Sequence, residues 1–157
     1  MIGEASITNG REENKMDLIF VPYTEIGTLC FNASNDSAIK VFGTPISQSM
    51  YGYPQKNKHS YDYGFFHILL SENLEFEAIE LFPDMTDEKI CLLYNNVKII
   101  LNPSVNITLE ELKKATDDLL LDDDGEGYTS KKLGLRIYCP DDIVEQVIIH
   151  DVDYYKS

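Results

Sequence analysis

The stretch from Tyr61 to Phe82, YDYGFFHILLSENLEFEAIELF, limits what this chain can become more than any other. Phe65 to Leu70 is an apolar run of strand length, Ser71-Glu72-Asn73 is a turn, and Leu74 to Phe82 returns with alternating character. Leu74, Phe76, Ala78 and Glu80 are expected to point one way, and Glu75, Glu77, Ile79 and Leu81 the other. Apolar residues fall on both faces, so the hairpin belongs inside a sheet that is covered on at least one side. The pattern returns about seventy residues later. Gly134 to Cys139 (GLRIYC) is again glycine plus an apolar strand, Pro140-Asp141-Asp142 is an acidic turn, and Val144 to His150 is again an apolar strand with an early glutamate.

The other segments fit around these two hairpins. Residues 1–15 are polar and aperiodic, which predicts a loose arm, or a weak edge strand through Ala5 to Thr8, ahead of one domain over 16–157. Asp17 to Tyr23 reads as a strand, placed at a sheet edge by Pro22, and Gly27 to Phe31 as a second strand paired to it through Thr24-Glu25. Ser34 to Phe42 reads as a short helix capped at Ser34, Asn35 or Asp36 and ended by Gly43. Lys89 to Tyr94 and Val97 to Leu101 flank Asn95-Asn96, which predicts a tight hairpin because asparagine tolerates positive φ. Thr108 to Leu121 has helical periodicity in Leu109, Leu112, Ala115 and Leu119, with Thr108 and Glu111 as a capping box. Asp151 to Ser157 is expected to extend the last strand. The predicted fold class is α+β: a mostly antiparallel sheet with two helices on one face, as a pseudo-repeat of helix-plus-hairpin halves.

A chain of 157 residues can bury a core of its own without metal or disulfide. Cys30, Cys91 and Cys139 are odd in number and far apart, which predicts free, buried thiols. No apolar run approaches the length of a membrane span, and the first fifteen residues lack the apolar centre of a signal peptide. A cytoplasmic location is expected. The net charge is −14, which argues against direct binding to nucleic acid or anionic membranes. From Glu72 onward about twenty acids face eight bases, a field that would steer a basic partner.

The candidate catalytic and metal-binding patterns in the sequence are each incomplete. Asp122, Asp124 and Glu126 alternate as in a calcium loop, but Leu133 stands where the closing bidentate acid is needed. His59, His67 and His150 lack metal-ligand spacing, although His67 and His150 lie in the two echoing hairpins and could approach across the sheet. Cys139 sits beside Asp141 and Asp142, whose charge disfavours a thiolate. Glu75, Glu77 and Glu80 with Glu145 are the only carboxylates that suggest acid–base work. The reading is therefore a non-enzymatic binding protein with no cofactor and no metal. Its expected contacts are Asp122, Asp123, Asp124 and Glu126, in a glycine-containing loop that would follow a helix C-terminus. Asp117 and Asp118 just ahead belong to the same set, and replacing the four loop acids is expected to leave the fold intact. Tyr51 and Tyr53 lie in a long polar loop from Ile46 to Ser60, suited either to recognition or to folding back on the sheet edge.

The two hairpins, the modest size, the missing export signal and the acidity together resemble small bacterial immunity proteins, the antidotes to toxins of contact-dependent growth inhibition. The repeated helix-plus-strands layout is also similar to that of β-lactamase inhibitor proteins, from which this chain departs in lacking an export signal and paired cysteines. The resemblance covers residues 36–151 and lies in layout and composition. It implies a protein that binds a toxin domain stoichiometrically and covers the active or substrate-binding surface of a basic, nuclease-like target. The alternatives are a small accessory or ligand-binding domain of housekeeping function and, third, a small hydrolase using the hairpin carboxylates.

Overall fold

The computed structural model of the chain describes residues 15–156, so the arm expected over 1–15 lies outside the described residues except for Lys15, which opens a strand, and the edge strand expected through Ala5 to Thr8 lies outside them altogether. In chain order the first elements are β1 (Lys15–Val21), β2 (Glu25–Ile26), β3 (Leu29–Cys30) and α1 (Asn35–Phe42). Four strands follow: β4 (Ser47–Tyr51), β5 (Lys58–Asp62), β6 (Phe66–Leu70) and β7 (Phe76–Leu81). After a 3-10 turn at Pro83–Met85 come β8 (Lys89–Tyr94), β9 (Val97–Leu101) and α2 (Val105–Leu112). The chain then adds β10 (Leu120–Leu121), β11 (Gly127–Ser130), β12 (Leu135–Tyr138), β13 (Gln146–His150) and a 3-10 turn at Tyr154–Lys156.

The fold is α+β with two helices and mostly antiparallel strands, but the strands form two sheets instead of one. The larger has eight strands in the order β10-β11-β12-β13-β7-β6-β5-β4, all antiparallel. Each helix is followed in sequence by four of these strands, and the two echoing return strands, β7 and β13, pair with each other at the centre. The smaller sheet has the order β9-β8-β1-β2-β3, in which β1 and β8 run parallel. That parallel pair corrects the expected edge position of β1: Pro22 lies in the turn after the strand, and β2 and β8 flank β1 on either side. Gly27 and Thr28, both at positive φ, form the turn between β2 and β3, so only Leu29–Cys30 of the strand expected over Gly27 to Phe31 is strand, and Glu25, expected in a turn, belongs to β2.

One main core joins the inward residues of both sheets and the two helices. Met16, Leu18, Phe20, Ile90 and Leu92 come from the small sheet, and Phe66, Ile68, Ile79, Leu81 and Ile149 from the large one. Burying each side chain of this size contributes about 1.5–3 kcal/mol. Ser34 caps α1, its hydroxyl accepting the Ser37 N–H at 3.2 Å, and Ala38 is the helix's fully buried contact. The expected hairpin at Asn95-Asn96 is present, with both residues at positive φ.

Other expected elements differ as well. The helix predicted from Thr108 begins at Val105, behind Ser104, and ends at Leu112. Thr108 is inside it and buried, its hydroxyl accepting the Asn102 N–H at 2.8 Å and donating to the Asn102 carbonyl at 2.7 Å. Glu111 accepts the Ile100 N–H at 2.8 Å, so the supposed capping pair instead ties the helix to the end of β9. The polar stretch from Ile46 to Ser60 is not one loop but β4, a turn and most of β5, with β4 the exposed edge of the large sheet. The alternation of β7 breaks at a bulge: Leu69 pairs with Ala78 but Leu70 with Phe76, leaving Glu77 as the extra residue. Phe76 therefore joins Ile79 and Leu81 in the main core, while Ala78 faces outward with Leu69 and Ile148.

The outward cluster explains the tail. Instead of extending β13, the chain turns after Asp151, whose N–H donates to the Glu77 carbonyl at 2.9 Å, and lays Tyr154 over Leu69, Ala78 and Ile148. No helix among the described residues is long and apolar enough to cross a membrane.

Candidate partner-binding surface

Antiparallel register sorts the connections of the large sheet to two ends. At one end lie the β5–β6 turn (63–65), the β10–β11 turn (122–126), the β12–β13 turn (139–145) and the segment that leaves β7 at Phe82. At the opposite end lie the β4–β5 turn (52–57), the β6–β7 turn (71–75), the β11–β12 turn (131–134) and the tail. Three of these segments, far apart in sequence, bring acids to the first end. Asp122, Asp123, Asp124 and Glu126 form the β10–β11 tip, Asp141, Asp142 and Glu145 the next turn, and Asp84 the third segment.

The tip is tied to its neighbour by the Cys139 N–H, which donates to the Glu126 carbonyl at 2.8 Å. Gly127 makes this approach possible: a Cβ there would lie 2.2 Å from the Ile137 carbonyl oxygen. Among the described residues Arg136 is the only base paired with any acid of this end. Its Nε donates to Asp122 at 2.7 Å and its Nη2 lies 3.5 Å from Asp124. The Tyr138 hydroxyl pKa is pushed up, foremost by the charge of Glu126, then by burial and the charges of Glu145 and Asp124. Burial and then the charges of Asp142 and Asp122 raise the Cys139 thiol in the same way. Between the end of β7 and the β12–β13 turn opens a cleft of about 440 Å³, walled by Phe82, Met85, Tyr138 and Gln146 and rimmed by Asp84 and Glu145.

The residues expected to form one binding surface separate. Asp123, Asp124 and Glu126 are exposed at the acidic end. Asp122 is not a free loop acid: besides Arg136 it accepts the Thr129 hydroxyl at 2.6 Å, so its removal would disturb the hairpin, contrary to the expectation for all four. The loop does not follow a helix C-terminus either, because α2 ends at Leu112 and 122–126 is a hairpin tip. Asp117 and Asp118 lie toward the opposite end, where Asp117 pairs with Lys132 at 2.7 Å and Asp118 accepts the Lys132 N–H at 2.9 Å. Tyr51 is half-buried on the outward face, its hydroxyl 3.4 Å from that of Tyr154, whereas Tyr53 at the adjacent turn is 97% exposed. That opposite end has its own polar cleft of about 390 Å³, in which Glu77 and Lys58 pair at 3.1 Å.

Register also keeps other expected groups apart. Glu75 and Glu77 lie at the opposite end from Glu145, and Glu80 is engaged by His67 at 3.3 Å and by the Gln146 side-chain amide. His67 and His150 stand on β6 and β13 with β7 between them. No group of three His, Cys, Asp or Glu side chains among the described residues is placed to hold a metal ion. Cys91 and Cys139 are buried but Cys30, in a two-residue strand of the small sheet, is exposed. The cleft itself was missed by sequence reasoning. Its signal was present only as two unconnected acidic turns, Phe82-Pro83-Asp84 and Pro140-Asp141-Asp142. Comparisons with family models, with curated proteins and with solved structures gave no match to this chain.

Proposed function

We propose that this chain is a cytoplasmic immunity protein that binds a basic, nuclease-like toxin domain and covers its active or substrate-binding surface. One observation carries the reading: three separate turns gather exposed carboxylates at one end of a sheet, and a single arginine offsets them among the described residues. Like charges brought together in this way repel one another, and no gain to the fold from Asp123, Asp141, Asp142 or Glu145 is evident. A basic partner relieves that repulsion and is steered by it. Rim acids raise the association rate, and a carboxylate that becomes buried against Arg or Lys contributes to residence time.

The test is coexpression with the toxin-type domain encoded beside the gene. Growth restored by this chain, with an association rate that falls as salt rises, is the expected result. Absence of rescue, or binding that is indifferent to salt, would overturn the reading. Asp123→Asn, Asp124→Asn and Glu126→Gln together should slow association, with Asp122 left in place because the hairpin uses it.

A further inference from the structure

We infer that the cleft between the end of β7 and the β12–β13 turn receives an arginine side chain of a basic protein partner. That the arginine belongs to a toxin domain rests on the function proposed above; that the cleft selects a guanidinium rests on the cleft's own residues. Phe82, Met85 and Tyr138 give it apolar walls, and Met85 stays 66% exposed on a 3-10 turn. Asp84 and Glu145 line it as exposed acids with no cationic partner among the described residues, and the Arg136 guanidinium lies over the Tyr138 ring beside them.

These features choose among occupants. An apolar side chain would fill the walls but desolvate the rim carboxylates without pairing them, which is unfavourable. A phosphate would be repelled by the same acids. A lysine ammonium is compact and strongly hydrated, and the apolar walls would strip water from it. A guanidinium is flat, more weakly hydrated, and able to lie on an aromatic ring while its N–H groups reach carboxylates in its plane. The Tyr138 ring already accepts such a group within the molecule: the Arg136 guanidinium carbon lies 5.7 Å from its centroid. The exposed acids of the β10–β11 tip would then steer, and the cleft would anchor.

The methionines provide the probe. Met85 lines the cleft, Met50 is exposed near the opposite end of the sheet, and Met16 is buried in the core. With methyl-labelled methionine, titration with acetyl-Gly-Arg-Gly-amide is expected to shift the Met85 methyl saturably and leave Met50 and Met16 in place. The matching lysine peptide should bind about two- to fivefold more weakly, the fold-change of an exposed cation–π contact, and the norleucine peptide should give no saturable shift. Asp84→Asn with Glu145→Gln should abolish the Met85 shift while an unmoved Met16 signal reports an intact core. No Met85 shift, an equal response to the lysine peptide, or Met50 moving in step would overturn the inference. If growth rescue fails but the Met85 response stands, the toxin reading falls and the arginine cleft remains. If the double variant rescues growth as well as the parent, the cleft is not the anchor.

Discussion

Asp118 was expected at a binding surface, and its surroundings give it another task. Burial raises its pKa, but the hydroxyls of Ser130 and Thr116 and the Lys132 N–H outweigh this and bring it down to about 2. A carboxylate whose folded pKa is depressed stabilises the fold above its ordinary value near 3.9, and that contribution is lost as pH falls through about 2. Asp118→Ala would leave the fully buried Ser130 hydroxyl without this acceptor. The expected cost is about 1–3 kcal/mol in urea melts at pH 7; a change as small as that of an ordinary surface substitution would contradict this role. His67 works in the opposite sense. Its hydrogen bond to Glu80 raises its pKa, burial opposes this, and the charges of Glu80 and Asp62 add to it. Stabilisation from His67 is therefore complete below the ordinary value near 6.5 and is lost as pH rises through the raised one. Tm should fall between pH 6 and pH 8 in the parent and fall less in His67→Gln. Equal slopes would assign the pH dependence elsewhere.

At the scale of elements, the β10–β11 hairpin depends on Gly127. A methyl group there would meet the Ile137 carbonyl oxygen at 2.2 Å and Asp122 Oδ2 at 2.9 Å, both held by the hairpin. Gly127→Ala should cost about 1–3 kcal/mol as an overpacked contact and should raise amide exchange across β11 and β12. Unchanged protection there would mean that the strands separate without loss. Elements of this kind were legible where the signal was local. Asn95-Asn96 announced its hairpin through tolerance of positive φ, and Ser34 announced α1 by its place before an amphipathic turn. Strand β4 and the first part of β5 read as a loop from sequence because SQSMY and KHS carry little apolar character. Strand β4, at the sheet edge, is nearly all exposed, so burial imposed no alternation that could be read. The start of α2 was displaced because Thr108 and Glu111 bond to Asn102 and Ile100, residues outside any capping-box pattern. The parallel β1–β8 pair joins segments about seventy residues apart, which no local pattern can register. The cleft was illegible for the same reason, since its walls come from two segments that meet only in the sheet.

At the scale of the whole molecule, a net charge of −14 works against compactness. Raising ionic strength from ~0.01 M to ~0.15 M shortens the screening length from ~30 Å to ~8 Å. Tm should therefore rise over that range, and a flat response would show that repulsion among the acids does not limit stability. The same charge is distributed across a join. Leu81 pairs with Val147 and Ile79 with Ile149 where the two four-stranded groups meet, and the Gln146 side chain crosses that line to Glu80. Phe82, Asp84 and Met85 stand on one side of the join, and Tyr138, Glu145 and Gln146 on the other. A chain in which β13 has not yet docked on β7 already carries every acid but has no cleft, so it can attract a cation without retaining it. Retention thereby becomes a check on completed folding. A guest that bridges the two sides must also work as a clasp, because opening the join would evict it, and by mass action its occupancy holds the two halves closed.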